Sequence, residues 1–201
     1  MKPPADLLIT GFEPFGNWSN NPAGELARQL DGQYVEGCRI TGRLLPVLYE
    51  HAARLAAEWA VEQPWRAILA LGLRASQPGL SLERLAVNVR HSLSHDNAGR
   101  ICRHEPIEIA GPMAVPTSWN NDRGEEALRQ CGLPVISSYF AGTYICNEVM
   151  YAILRRLRLR RSRAPFAFIH VPLVNSGEQS LTMEALADGL LNVLRAALAN
   201  L

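Results

Sequence analysis

Two hydrophobic rhythms alternate along this chain: short unbroken apolar runs closed by glycine or proline, and longer stretches whose apolar residues recur at helical spacing. Leu7 to Thr10, ended by Gly11, reads as a buried strand. Pro22 to Leu30 reads as a helix with proline in its first turn, where a missing N–H costs nothing. Arg39 to Leu45 alternates as a second strand before Pro46, and Leu48 to Glu62 is a second helix that Pro64 stops. Ala67 to Leu71 is a third buried strand. Leu85, Val87 and Val89, alternating with Ala86, Asn88 and Arg90, form a fourth, half-polar one. His91 to Pro116 is rich in turn residues and reads as loops with a short hairpin. Asn121 or Asp122 caps a helix running to Gln130, Pro134 to Ser138 is a strand, and Cys146 to Arg160 a helix. Phe166 to Val171 is a last strand, followed by a closing helix from Leu181 to Leu198.

Strands and helices that alternate in this way predict an α/β fold: a single-domain α/β/α sandwich over residues 1–201, with a mostly parallel twisted sheet. Functional side chains are then expected at the carboxyl ends of the strands. A chain of 201 residues buries enough surface to hold a core without staples, and no repeat, low-complexity tract or linker interrupts it.

Composition narrows the function classes. A formal net charge of +1 gives no general attraction to nucleic acid or to an anionic membrane. The arginine run from Arg155 to Arg163 falls in the last turns of a predicted helix, where cations complement the dipole and solvate the outer face. Cys38, Cys102, Cys131 and Cys146 are scattered, with no CxxC pair and no Cys/His spacing suited to a zinc site, so they are expected to be reduced thiols. The apolar run after Met1 is too short for a signal peptide or a membrane span, and the protein is expected in the cytoplasm.

The chemistry centres on the stretch AGTYICNEVMYAILRRL from Ala141 to Leu157, which places Cys146 where an extended segment hands over to a helix. The positive end of a helix favours thiolate, the form of cysteine that attacks carbonyl carbon. Glu83 lies ahead of the fourth strand, and His170 ends the apolar strand FAFIHV. A thiol, an imidazole to take its proton and a carboxylate to orient the imidazole are what amide hydrolysis by cysteine requires. Taken singly, Cys146 is equally a small buried apolar residue, His170 a core histidine, and Glu83 half of a surface pair with Arg84.

Four separate segments, in order, resemble the pyroglutamyl peptidase I family, cysteine peptidases that remove an N-terminal pyroglutamyl residue. TGFEPFG at Thr10 to Gly16 with Asn21-Pro22 is similar to the family's N-terminal signature, and GLRASQPGLSLERLAVN at Gly72 to Asn88 to the segment holding its catalytic glutamate. AGTYICN is similar to the nucleophile segment and FIHVP at Phe168 to Pro172 to the histidine segment, while SLTMEALADGL resembles the last helix. The resemblance implies Cys146 as nucleophile, His170 as general base and then acid, and Glu83 as the group that orients His170. It implies a lactam pocket of Phe12, Phe15 and Tyr144, with Leu73 where glutamine is common. It also implies peptides with N-terminal pyroglutamate as substrates, no cofactor, and a homo-oligomer. An amidohydrolase of another small lactam, or a weakly active binding member of the family, are the alternatives.

The match departs from the family pattern at three places. Many members carry an acidic pair and then an arginine after the glutamate segment, whereas here Arg90-His91-Ser92-Leu93 puts leucine at the arginine's place. Arg90 or His91 is the expected substitute, with lower turnover if neither serves. Besides Leu73, Phe140 precedes Ala141-Gly142 where a small residue is usual, which predicts a reshaped wall behind the nucleophile loop.

Overall fold

The structure, a computed structural model, describes residues 6–174 and 181–199. Its elements run β1 (Leu7–Phe12), α1 (Pro22–Leu30), β2 (Tyr34–Val35), β3 (Cys38–Leu45), α2 (His51–Trp59), β4 (Ala67–Leu73), β5 (Leu80–Glu83), β6 (Leu85–Val87) and β7 (Ala114–Pro116). Then follow α3 (Asn121–Gln130), β8 (Val135–Ser138), α4 (Ile145–Leu159), β9 (Phe166–Val171) and α5 (Met183–Leu198). Seven strands form one sheet in the order β2-β3-β1-β4-β9-β5-β8, and β6 and β7 pair apart from it. Strands β3, β1, β4 and β9 are mutually parallel, while β5 enters antiparallel to β9 and carries β8 parallel to itself. The expected α/β/α sandwich with a mostly parallel sheet is therefore present.

Period-two alternation sorts the sheet's side chains into two cores. Ala167, Ile169 and Val171 of β9 join Leu7, Ile9, Leu69 and Leu71 beneath α1, α3 and α5. Phe166 and Phe168 join Leu8, Ile68 and Ala70 beneath α2 and α4. Both cores are built from fully buried aliphatic side chains, so the sheet is a rigid platform whose strand ends have little freedom to shift. His170 shares the Phe168 side of β9, with ring centroids 5.0 Å apart. That places the imidazole on the layer where α4 lies.

Several boundaries differ from the sequence expectation. The sheet strand that follows β4 is β5, Leu80–Glu83, and the half-polar stretch predicted as the fourth strand is β6, shorter than expected and paired with β7 outside that sheet. The β5 sequence, Leu-Ser-Leu-Glu, alternates apolar and polar but runs for only four residues, so the longer half-polar stretch after it carried the stronger strand signal. Glu83 thus ends a strand inside the main sheet as well as lying just ahead of β6. Helix α3 is capped by Asn120, whose side chain accepts from Arg123 N–H at 3.2 Å, one residue earlier than expected. Helix α2 is shorter than its periodicity suggests, and Glu50, with φ of 62°, turns the chain sharply into it.

Helix α1 lies so close to the sheet that only glycine fits between them. A Cβ on Gly42 would stand 2.0 Å from the Ala27 carbonyl oxygen, and one on Gly11 2.1 Å from that of Ala23. Both obstacles are backbone, so relief requires lifting the helix. Gly42→Ala is expected to lower stability by about 2–3 kcal/mol in thermal or urea denaturation, the scale of an overpacked site. A melt indistinguishable from the parent would contradict this close approach.

Candidate active site

The site is assembled from the ends of β4, β5 and β9 and the first turn of α4. In the register of the sheet, Gly72 faces His170, while Ser81 faces His170 and Glu83 faces Phe168 on the other side of β9. Paired residues share a face of the sheet, so Glu83 and His170 are diagonal neighbours on one face. His170 Nδ1 lies 2.7 Å from Glu83 Oε1. With a carboxylate as acceptor, Nδ1 carries the proton and Nε2 is the nitrogen left to act as a base.

The Glu83 carboxylate is completely buried and is met from several sides. Ser81 Oγ donates to Oε1 at 3.2 Å, Ser138 Oγ donates to Oε2, and Arg74 Nη1 is 3.2 Å from Oε1. A charge taken out of water survives only with such compensation. None of these three partners was singled out from the sequence. Ser81 shares Glu83's strand and face two residues earlier, while Ser138 sits opposite Glu83 on the neighbouring β8, a pairing that only the sheet order supplies.

Cys146 is the second residue of α4, after Gly142 with φ of 82° has turned the loop toward the helix. Its sulfur lies over Gly72: a Cβ there would be 2.9 Å from Sγ and 3.0 Å from the Phe168 ring. Because Gly72 pairs with His170, the sulfur occupies the sheet position beside the imidazole. Absence of a side chain at residue 72 is what admits the thiol. The helix start is tied down by Asn147, which accepts from Val87 N–H at 2.9 Å and donates to the carbonyls of Val87 and Val89. Thr143 Oγ1 donates to the His91 carbonyl, and Tyr144 Oη to that of His95.

Burial sets the protonation of both reacting groups. It pushes the Cys146 thiol up to about 12, with the Arg74 charge pulling down and Glu83 pushing up. It also holds His170 below the ordinary imidazole value, against the upward pull of Glu83. Burial therefore opposes the thiolate that the helix terminus was expected to favour, and pushes both groups toward their neutral forms.

A family profile described as pyroglutamyl peptidase matches residues 5–192. The chain belongs to the pyroglutamyl peptidase family. The pyrrolidone-carboxylate peptidase of Chromobacterium violaceum is 40% identical over 169 residues, covering 84% of this chain and 78% of that protein. The enzyme of that name from an Enterobacter species is 34% identical over 170 residues, covering 83% and 77%. Among solved structures, the pyrrolidone carboxyl peptidase of Thermococcus litoralis superimposes with a TM-score of 0.90 at 30% identity, over 97% of this chain and 94% of that one. An A199P mutant of the Pyrococcus furiosus enzyme gives 0.92 at 29% identity, over 98% and 99%.

Within this family frame, the pocket residues separate into two groups. Phe15 and Tyr144 are partly exposed, with ring centroids 6.5 Å apart, and Tyr49 meets Tyr144 edge-on at 5.4 Å. Leu73 ends β4, also partly exposed. Phe12 is only 3% exposed and belongs to the core under α2 and α4, so it underlies the loop that presents Phe15. That loop is anchored where Asn21 Nδ2 donates to the Glu13 carbonyl at 3.0 Å and Asn97 Nδ2 to that of Pro14 at 3.0 Å. Tyr49 was missed because it falls at the start of the predicted helix Leu48 to Glu62, with no motif around it.

The departures from the family pattern resolve differently from expectation. Leu93 is 75% exposed. Arg90 is buried and spent on Glu50 at 2.6 Å, the Pro106 carbonyl at 3.0 Å and Glu148 at 3.5 Å, and the His91 ring stacks on His104 at 4.1 Å. Neither supplies a cation beside Glu83; Arg74 does. Phe140 is 46% exposed and meets the site through its carbonyl, which accepts from Arg74 Nη2 at 3.2 Å, so it is rim and not a wall behind the nucleophile.

The Arg90 cluster makes a pH-dependent contribution to the nucleophile helix. Burial pushes Glu148, two residues after Cys146, up to about 7, with the Arg90 charge and the bond from Glu50 N–H opposing. An acid whose folded value is raised holds a proton that the unfolded chain releases, so its contribution to stability falls as pH rises from 4.5 to about 7. Glu148→Gln retains an acceptor for Glu50 N–H without that charge. The variant should gain on the parent across this window, by up to roughly 3 kcal/mol above it, in urea titrations at a series of pH values. Parallel stability curves would contradict the assignment.

Proposed function

We propose that this chain hydrolyses the amide bond that follows an N-terminal pyroglutamyl residue, through an acyl-enzyme on Cys146. The observation that carries the reading is the 2.7 Å bond between Glu83 and His170 on the face of the sheet where the Cys146 sulfur rests over Gly72. Membership of a peptidase family supplies the reaction class, and the half-buried rings of Phe15 and Tyr144 offer flat apolar faces to a lactam. A charged amino terminus would meet no counter-charge between those rings and would be desolvated at a cost, which favours the uncharged pyroglutamyl ring.

His170 Nε2 takes the thiol proton as sulfur attacks the pyroglutamyl carbonyl carbon. The sulfur–carbon bond forms as the carbonyl π bond opens to an oxyanion. The backbone N–H groups of Cys146 and Asn147, in the first turn of α4 where no intrahelical acceptor exists, are placed to receive that charge. The imidazolium, steadied by Glu83, returns its proton to the leaving amine, and the carbon–nitrogen bond breaks. Water, deprotonated by His170, then attacks the thioester and releases pyroglutamate and the thiol. The attack of sulfur on the amide and the attack of water on the thioester each need His170 neutral at the start, the state that burial favours. The four cysteines are free, consistent with a reducing compartment, and we place the enzyme in the cytoplasm.

A fluorogenic pyroglutamyl amide should be cleaved, and prolyl and glutamyl amides with the same leaving group should not. Cys146→Ala and His170→Ala should each lower kcat/KM by at least about a thousandfold while circular dichroism stays unchanged. Cleavage that survives Cys146→Ala, or a preference for the prolyl amide, would overturn the proposal.

A further inference from the structure

Arg74 follows β4 and is 22% exposed at its side chain, a cation placed at the mouth of the site. Its backbone is fixed, since Arg74 N–H donates to the Val171 carbonyl at 2.9 Å and the Arg74 carbonyl accepts from Gln77 N–H at 3.1 Å. From this base the guanidinium forks. Nη1 reaches Glu83 Oε1 at 3.2 Å, the same oxygen that binds His170 Nδ1, and Nη2 reaches the Phe140 carbonyl in the loop leading to Cys146.

We infer that Arg74 is a positioning residue of the proposed peptidase site, spanning from the orienting carboxylate to the nucleophile loop and holding a positive charge beside the sulfur. The planar guanidinium presents two donors in a fixed fork, so one side chain sets the spacing between Glu83 and the loop of Phe140. Its charge also acts on the reacting groups. The groups facing Cys146 are His170 on β9, Glu83 on β5, Tyr144 at the helix cap and Arg74. Among these, Arg74 opposes the burial that raises the thiol, and it further disfavours imidazolium at His170. Arg74 therefore promotes both forms the first step needs, an ionisable thiol and a neutral base.

This inference rests on the assignment of Cys146, His170 and Glu83 as the reacting set, and its test is separable from the identity of the substrate. The rate of iodoacetamide alkylation at Cys146, followed by peptide mapping, reports the thiolate fraction whether or not a pyroglutamyl amide is cleaved. On the rising limb of the pH profile, Arg74→Gln should alkylate Cys146 roughly tenfold more slowly than the parent at each pH, the effect of losing one nearby charge. Arg74→Lys should regain most of that rate. With the pyroglutamyl amide, Arg74→Gln should lower kcat by roughly ten- to a hundredfold with KM little changed, as expected when a group acts through Glu83 and not on substrate. Superimposed alkylation profiles for parent and Arg74→Gln, or equal loss in the glutamine and lysine variants, would overturn it. Normal alkylation shifts without any amide cleavage would instead overturn the peptidase reading alone.

Discussion

Everything at this site depends on keeping one carboxylate ionised inside a sheet. Glu83 has no access to water, and its two oxygens are engaged by an imidazole, a guanidinium and two serine hydroxyls. Those partners come from four different strand or strand-end positions. The insertion of β5 antiparallel to β9 makes that possible, because it places Glu83 diagonally across from His170 while the parallel neighbour β8 brings Ser138 to the other oxygen. An all-parallel order would have put a different residue of this short strand beside the imidazole.

The same desolvation that demands these partners sets the chemistry. It pushes the thiol up to about 12 and holds the imidazole below its ordinary value, so both are biased toward their neutral forms. In the proposed reaction His170 then takes the thiol proton as attack begins. Such a site protects its sulfur from indiscriminate alkylation and oxidation, since the thiolate is the reactive form. The gap at Gly72 has a matching role: it seats the sulfur against the sheet, where any larger residue would displace it.

Much of the architecture was readable from the chain. Pro22–Leu30 and Phe166–Val171 match their expected bounds because proline, a capping asparagine and polar flanks punctuate a clean periodic segment. Leu80–Glu83 was not, since two apolar–polar alternations are too few to stand out beside the longer stretch that follows, and β2, a two-residue strand, carries still less pattern. Cys146, His170 and Glu83 were legible through residue type, element ends and motif order. Arg74, Ser81 and Ser138 were not: an arginine after a strand and serines within strands are ordinary until the strand order is known. The depth at which α4 begins, which opposes a thiolate at Cys146, was not legible either.

The bond between Glu83 and His170 is open to direct measurement. Nitrogen-15 NMR of protein labelled at histidine distinguishes the two neutral tautomers of His170 near neutral pH. The account requires a protonated Nδ1, with its proton shifted downfield by the carboxylate, and an unprotonated Nε2; Glu83→Gln should abolish that shift. A His170 ring that carries its proton on Nε2, or whose Nδ1 resonance ignores the loss of Glu83, would contradict the central claim.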